Sequence, residues 1–233
     1  MPVSIGRVYA VVPAAGVGSR MLADRPKQYL IIHDETIMEH TLKQLLCFSP
    51  IEKIILPISK TDCYWPKIRF NGHADIIACE GGSERFESVL SGLKTLSDIG
   101  AMDDDWVMVH DVARPCIQHQ DLQSLLDQAS EQGAILGSLV RDTMKRTNDK
   151  GEIITTVERD NLWHALTPQL APLGVLRHAI ETCIQDGVNI TDEASALEHI
   201  GLTPKMVAGS PSNIKVTRPE DLSLAAMYVN NQS

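Results

Sequence analysis

The sequence predicts an α/β protein with a doubly wound, mostly parallel sheet, helices on both faces and one projecting β-arm. Three observations predict it. Short β-branched runs alternate with amphipathic stretches through the first half of the chain, as in repeated strand–helix–strand crossovers. Loops rich in glycine or turn-forming residues follow several of those runs directly. One polar, turn-rich stretch, residues 141–160, breaks the alternation.

Taken in order, the runs Val8 to Val12, Lys53 to Ile58, Asp75 to Cys79, Trp106 to His110 and Ala134 to Val140 are the expected strands. Between them, Ile37 to Phe48, Arg85 to Leu96 and Asp121 to Gln132 carry apolar residues three and four apart, such as Leu42, Leu45 and Leu46, or Leu122, Leu125 and Leu126. These are the expected crossover helices. Near the end, Thr217-Arg-Pro-Glu220 supplies a capping hydroxyl, an early proline and a carboxylate three positions on, just before Leu222, Leu224 and Ala225, and predicts a C-terminal helix. The segment Arg141 to Asp160, turning at Asn148-Asp-Lys-Gly151, reads as a projecting hairpin. With few core residues, it suits contact with a substrate or a second subunit, the alternative being a plain surface hairpin. No repeat or Pro/Gly linker divides the chain, so residues 1–233 read as one domain with 141–160 as an arm within it.

Composition bounds the function. Of 233 residues, 21 are Lys or Arg and 30 are Asp or Glu, a formal charge of −9. Such a surface offers no broad footprint for nucleic acid, so phosphate binding must rest on a few locally placed cations. At 43% apolar residues the chain is an ordinary globular one. It has no run of about 18 apolar residues and no export signal at Met1 to Val12, which predicts a cytoplasmic protein that does not engage a membrane. Cys47, Cys63, Cys79, Cys116 and Cys183 are odd in number, widely spread and free of zinc spacing, and read as reduced thiols.

Chemistry concentrates where strands end. After the first strand, Pro13-Ala-Ala-Gly-Val-Gly-Ser-Arg-Met21 combines small residues and two glycines that let backbone amides approach a phosphate. It is neither a Walker A loop nor a full dinucleotide fingerprint, since Met21 stands at the third glycine position, and alone it also fits a structural turn. Arg20 and Pro26-Lys27-Gln28 place two cations beside it, which favours a triphosphate. Glu80-Gly-Gly-Ser-Glu-Arg-Phe-Glu-Ser88 and His110-Asp-Val-Ala-Arg-Pro115 leave strands on the same edge. Asp111 at a strand terminus suits Mg²⁺, which takes one or two carboxylates and fills its octahedron with phosphate and water, or else it is an ordinary turn residue. Gly81, Gly82 and Ser88 can face a base edge or simply form a turn.

Pro13-Ala-Ala-Gly-x-Gly-x-Arg-Met21 with Pro26-Lys-Gln-Tyr-Leu30 resembles the opening of nucleotidyltransferases that act on sugar and polyol phosphates. Further blocks narrow the resemblance: Gly81-Gly-x-Glu-Arg85 with Ser88, His110-Asp-x-Ala-Arg-Pro115, Val140-Arg-Asp-Thr-Met-Lys-Arg146, Leu162-Trp-His-Ala-Leu-Thr-Pro-Gln169, Ile190-Thr-Asp-Glu-Ala-Ser-Ala196 and Asn213-Ile-Lys-Val-Thr217. Spanning nearly the whole chain, they resemble the 2-C-methyl-D-erythritol 4-phosphate cytidylyltransferase family of the non-mevalonate isoprenoid pathway. The resemblance implies a Rossmann-like nucleotidyltransferase fold and a Mg²⁺-dependent enzyme, homodimeric through the arm. It implies that Pro13, Ala14, Ala15, Gly16, Gly18, Arg20 and Lys27 contact the CTP phosphates. Gly82 and Ser88, with the Ala14 backbone, read cytosine, and Asp111 binds Mg²⁺. The polyol phosphate site maps to Arg114, Thr143, Arg159 and Lys215, with Thr143 and Arg159 reaching in from a partner's arm. Two departures stand out: Ser83 replaces the Asp of many relatives, and Val112 interrupts a more usual Asp-Ala-Ala-Arg.

The reaction so implied is in-line attack by a phosphate oxygen on the α-phosphorus of CTP, with pyrophosphate leaving. Arg20 and Lys27 neutralise the transferring group and Lys215 steadies the entering phosphate. A phosphate monoester is already largely dianionic at neutral pH, so no general base is needed, and His110 and His164 are assigned to structure. Asp192-Glu193 reads as a capped helix start outside the site. Transfer to another polyol phosphate such as ribitol 5-phosphate, a nicotinamide oxidoreductase on the same architecture, and a nucleotide sensor that has lost catalysis are the competing readings.

Overall fold

The computed structural model describes residues 5–16 and 24–230. Strand β1 (Val8–Val11) leads through a 3₁₀ turn (Lys27–Tyr29) and a small hairpin, β2 (Ile31–Ile32) and β3 (Glu35–Thr36), into α1 (Ile37–Leu46). There follow β4 (Ile51–Ile58), β5 (Ile76–Glu80), α2 (Arg85–Asp98), β6 (Trp106–Val109), α3 (His119–Gln128) and β7 (Ala134–Leu139). A separate two-stranded hairpin, β8 (Met144–Thr147) and β9 (Ile153–Val157), precedes β10 (Trp163–Pro172), α4 (Leu173–Gln185), α5 (Glu193–His199), β11 (Lys205–Ala208) and α6 (Pro219–Asn230).

Seven strands form the central sheet in the order β5-β4-β1-β6-β10-β7-β11. Every neighbouring pair is parallel except the two that β10 makes, which are antiparallel. The architecture is the doubly wound, mostly parallel one that the alternating runs predict. The chain winds from β1 outward to β4 and β5, then returns to place β6 on the other side of β1. The strand order therefore reverses between β1 and β6, and a crevice opens at their carboxyl ends.

The period-two alternation of β1 builds both layers. Val8, Ala10 and Val12 pack into the core that holds Leu42 and Leu45 of α1 and Leu122 and Leu125 of α3. Tyr9 and Val11 pack into the opposite core, with Leu93 and Leu96 of α2 and Leu176 and Ile180 of α4. Each such fully buried side chain contributes about 1.5–3 kcal/mol. Helix α2 lies so close to the sheet that a Cβ on Gly92 would sit 2.6 Å from Val11 Cγ1.

Several elements depart from the sequence reading. Strand β10 lies centrally despite its two prolines: Pro168 falls at the break in its register with β7, and Pro172 is its last residue. Helix α4, strand β11 and the β2–β3 hairpin were likewise not expected from the pattern. Helix α3 begins two residues early and stops at Gln128, because Ala129 turns to extended dihedrals and Gly133 has φ +97°. The carboxylate that closes the start of α6 is Asp221 rather than Glu220: it accepts from the Thr217 and Arg218 amides and the Thr217 hydroxyl, each at 2.9 Å. The 141–160 segment forms the expected hairpin, with every β8 side chain exposed.

Candidate active site

The crevice between β1 and β6 is a cleft of about 450 Å³ lined from the exits of three strands, β1, β5 and β6, and from Lys27, Gln28 and Lys215. Its first wall is Pro13–Gly16. The Ala14 amide donates to Pro57 O at 2.8 Å, and buried Gln28 donates through Nε2 to Ala14 O at 2.7 Å and Gly16 O at 3.1 Å. Gln28 thus engages carbonyls that would repel a phosphate. The 3₁₀ turn carrying it is anchored by Tyr29, whose hydroxyl donates to Asp62 Oδ2 at 2.7 Å and whose ring stacks on Tyr64 at 5.0 Å. The same turn aims Lys27 across the cleft, where Nζ donates to Val216 O at 3.1 Å. Gly18 and Arg20, expected to complete this wall, lie outside the described residues.

The second wall is the exit of β5. Gly82 N donates to Ser88 Oγ at 3.1 Å, and Ser88 is buried in the first turn of α2. The Ser83 amide (2.8 Å) and hydroxyl (2.6 Å) and the Glu84 amide (3.0 Å) donate to Glu87 Oε2, which holds the Glu87 carboxyl below its ordinary range. At the Ser83 departure, this chain ties a hydroxyl to the Glu87 cap.

The third wall is the exit of β6, fixed by a relay of hydrogen bonds. The Asp111 amide donates to Thr167 Oγ1 at 3.0 Å, and Thr167 Oγ1 lies 3.0 Å from His110 Nδ1. His110 Nε2 lies 3.1 Å from Arg114 O. A neutral ring with its proton on Nε2 satisfies all three contacts, and burial pushes His110 down to about 4. His110 is enclosed, in keeping with a structural role, and His164 is exposed on β10 and does not line the cleft. The fourth wall is Asn213–Lys215. Buried Asn213 donates through Nδ2 to Thr167 O at 2.8 Å, and the Arg114 guanidinium donates to Asn213 O at 2.7 Å.

Asp111 is the electrostatic centre. Its Oδ1 accepts from Arg85 Nε at 2.9 Å and its Oδ2 lies 2.8 Å from Lys215 Nζ. Arg114 Nε lies 3.5 Å from Oδ2 and makes no hydrogen bond among the described residues. Burial alone would raise the Asp111 carboxyl, but Arg85, Lys215 and Arg114 together hold it well below the usual carboxylate range. Arg85 is in turn gripped by Glu193, through Nη1–Oε1 at 2.6 Å and Nη2–Oε2 at 3.0 Å. Asp192 caps α5 as the sequence indicated, accepting from Ser195 N at 2.9 Å, but Glu193 turns inward and is only 2% exposed. Glu193 therefore belongs to the site rather than to a helix start alone; its partner lies 108 residues away, which no local pattern reveals. Lys27, Arg85, Arg114 and Lys215 face three carboxylates here, Glu84, Asp111 and Glu193, a small local cationic excess in an acidic chain.

Thus Pro13, Ala14, Ala15, Gly16, Lys27, Gly82, Ser88, Asp111 and Lys215 converge on one cleft, and Arg114 stands just behind Asp111. Thr143 and Arg159 do not join it within the same chain. Both are exposed, and Arg159 donates to Arg141 O at the base of the hairpin beside a separate hollow.

An α/β/α sandwich with a small-residue loop after its first strand and cations ranged around a carboxylate at its switch point defines the class of Rossmann-like nucleotidyltransferases. Comparison with known proteins narrows the class. The chain matches the family profile IspD: 2-C-methyl-D-erythritol 4-phosphate cytidylyltransferase over residues 8–231. It is 51% identical over 231 residues to the protein of that name from Vibrio vulnificus strain CMCP6, covering 98% of this chain and 97% of the relative. It is 50% identical over 222 residues to that of Haemophilus influenzae strain PittEE, covering 95% and 96%. The solved Francisella tularensis structure of that name superimposes with a TM-score of 0.83 at 35% identity, covering 96% of this chain and all of the other. The chain belongs to the 2-C-methyl-D-erythritol 4-phosphate cytidylyltransferase family.

Proposed function

We propose that this chain transfers the cytidylyl group of CTP to 2-C-methyl-D-erythritol 4-phosphate, forming 4-diphosphocytidyl-2-C-methyl-D-erythritol and pyrophosphate in isoprenoid precursor synthesis. The observation that carries this reading is the convergence of Lys27 and Lys215: Lys27 bonds the carbonyl of Val216, the residue next to Lys215, and both line the Asp111 cleft. An oxygen of the polyol phosphate forms a bond to the α-phosphorus as the bond from that phosphorus to the bridging β-oxygen breaks, and the electron pair leaves with pyrophosphate. Two anions must meet for this to happen, and the cleft answers that demand with fixed positive charge.

The roles divide by wall. The Pro13–Gly18 backbone, Arg20 and Lys27 hold the CTP phosphates, and Lys27 opposes the charge that gathers on the transferring group. Gly82, Ser88 and the Ala14 backbone face the base. Lys215 and Arg114 hold the entering phosphate. His110, enclosed and neutral, moves no proton in this scheme. Thr143 and Arg159 complete the polyol phosphate site from the arm of a second subunit, which makes the working enzyme a homodimer.

Asp111 suits a divalent cation, for which we propose Mg²⁺. Its two oxygens offer about four lone-pair sites, of which Arg85 and Lys215 each engage one at short range. No group of three or more metal-ligating side chains occurs among the described residues, which fits a hard cation that draws most ligands from phosphates and water. When bound, such an ion supplies further neutralisation of the triphosphate. No described helix is long and apolar enough to cross a membrane. The five cysteines, all free thiols, support a cytoplasmic location.

The test is release of pyrophosphate by the purified protein. CTP with 2-C-methyl-D-erythritol 4-phosphate releases it, whereas either substrate alone, or ATP, GTP or UTP in place of CTP, does not. Release from CTP plus ribitol 5-phosphate at an equal rate contradicts the assignment of substrate.

A further inference from the structure

We infer that Glu193 is a positioning residue for the reaction, acting through Arg85 to keep Asp111 shared with Lys215; this rests on the reading of the cleft above. Three distances carry the inference. Glu193 occupies both terminal nitrogens of Arg85, at 2.6 and 3.0 Å, which leaves only Nε to meet Asp111, at 2.9 Å on Oδ1. The other Asp111 oxygen is thereby free to take Lys215 Nζ at 2.8 Å. The four side chains form an unbroken line of alternating charge, Glu193, Arg85, Asp111 and Lys215, that runs from the start of α5 to the cleft.

The geometry of a guanidinium makes the outer carboxylate matter. An arginine fork prefers to grip a carboxylate with two parallel N–H bonds. With the Glu193 charge removed, Arg85 can turn that fork onto Asp111 and engage both oxygens, displacing Lys215 from its fixed position. A lysine held 2.8 Å from a carboxylate is oriented, whereas a displaced one keeps its charge but loses its aim. Glu193 is 2% exposed and does not line the cleft, so its link to the cleft runs through Arg85. The neutral variant should therefore disturb the entering phosphate more than the nucleotide.

Glu193→Gln keeps shape while deleting charge, and Arg85→Met/Glu193→Gln removes both partners of the buried pair, a change that folds tolerate better than loss of one. The experiment measures steady-state pyrophosphate release together with CTP binding by calorimetry in the absence of the polyol phosphate. Glu193→Gln is expected to lower kcat/KM for 2-C-methyl-D-erythritol 4-phosphate by about tenfold or more, the scale of an ångström-sized misplacement, with the CTP dissociation constant within about threefold of wild type. Glu193→Asp, which restores the charge, recovers part of the loss. In the Arg85→Met background, Glu193→Gln adds no further loss. A Glu193→Gln protein that melts earlier but turns over normally, or one that loses both substrates equally, overturns the inference. So does an additive loss in the double variant. A wild-type protein that releases no pyrophosphate overturns the functional reading instead, so the two failures are distinct.

Discussion

At the scale of single residues, the cleft works by placing charges that the rest of the chain lacks. Lys27 sits on a short turn locked by Gln28 and Tyr29, so its ammonium is aimed before any ligand arrives. Lys27→Ala should lower kcat by about a hundredfold or more, the scale of one lost electrostatic donor, with little change in melting temperature; turnover within a few fold of wild type removes Lys27 from the catalytic set. Asp111 is a different case, since three cations surround it. Its replacement leaves charges unpaired and is therefore a poor probe of metal binding alone. His110 gives a cleaner readout. It is held near 4 when folded against an ordinary 6.5, so the unfolded chain gains its proton first as pH falls. Stability is fully present above 6.5 and is lost toward 4, about 2 kcal/mol of it between pH 7 and 5. Asp111, depressed when folded, adds a loss that begins only near its unfolded value of 3.8. Urea midpoints at pH 7 and 5 check the sign: His110→Gln should flatten the difference, and an unchanged slope contradicts a neutral buried ring.

At the scale of elements, loops become a site because two helices start beside them. Helix α2 carries Arg85 and Ser88 in its first turn, and its closeness to β1 through Gly92 sets where those side chains stand. Gly92→Ala pushes a methyl against Val11 and should cost about 1–3 kcal/mol while raising the CTP KM, since the Gly82–Ser88 wall, proposed to face the base, moves with the helix. A destabilised protein with normal CTP affinity shows that α2 and the wall are uncoupled. The strands with plain β-branched runs and the helices with three-and-four spacing are legible because each is a local pattern. Strand β10 is not, because Trp163–Pro172 has two prolines and no alternation; its place between β6 and β7 is set by pairings far away in sequence. Strand β11, four residues of Lys205–Ala208, carries too little signal to stand out. The same limit applies to the site: Lys27 announces itself as a cation beside the glycine loop and Asp111 by ending a strand, whereas Gln28 and Glu193 act through contacts that only the fold creates.

At the scale of the whole molecule, the proposed polyol phosphate site calls on two residues, Thr143 and Arg159, that one chain does not bring to the cleft. Thr143 and Arg159 lie on or beside a hairpin that pairs only with itself in a two-stranded sheet, and its Ile153 and Ile154 are 65% and 63% exposed. A bare apolar pair on an isolated hairpin suits burial against a second copy. Subunit mixing tests whether the arm serves the neighbour's cleft. Lys27→Ala and Arg159→Ala proteins should each be impaired alone. After co-refolding, half the dimers carry one intact cleft, so about a quarter of wild-type activity should return. No recovery in a sample shown to contain mixed dimers confines both residues to one chain's site.

These scales meet in one arrangement: Lys27 and Lys215, separated by most of the chain, line a single cleft. A crystal structure of the protein with CTP and 2-C-methyl-D-erythritol 4-phosphate bound measures this directly. The account predicts Lys27 Nζ on the CTP phosphates, Lys215 Nζ on the polyol phosphate, and the attacking oxygen about 3–3.5 Å from the α-phosphorus, opposite the leaving pyrophosphate. Ligands seated in separate hollows, or a Lys215 turned away from the entering phosphate, would contradict it.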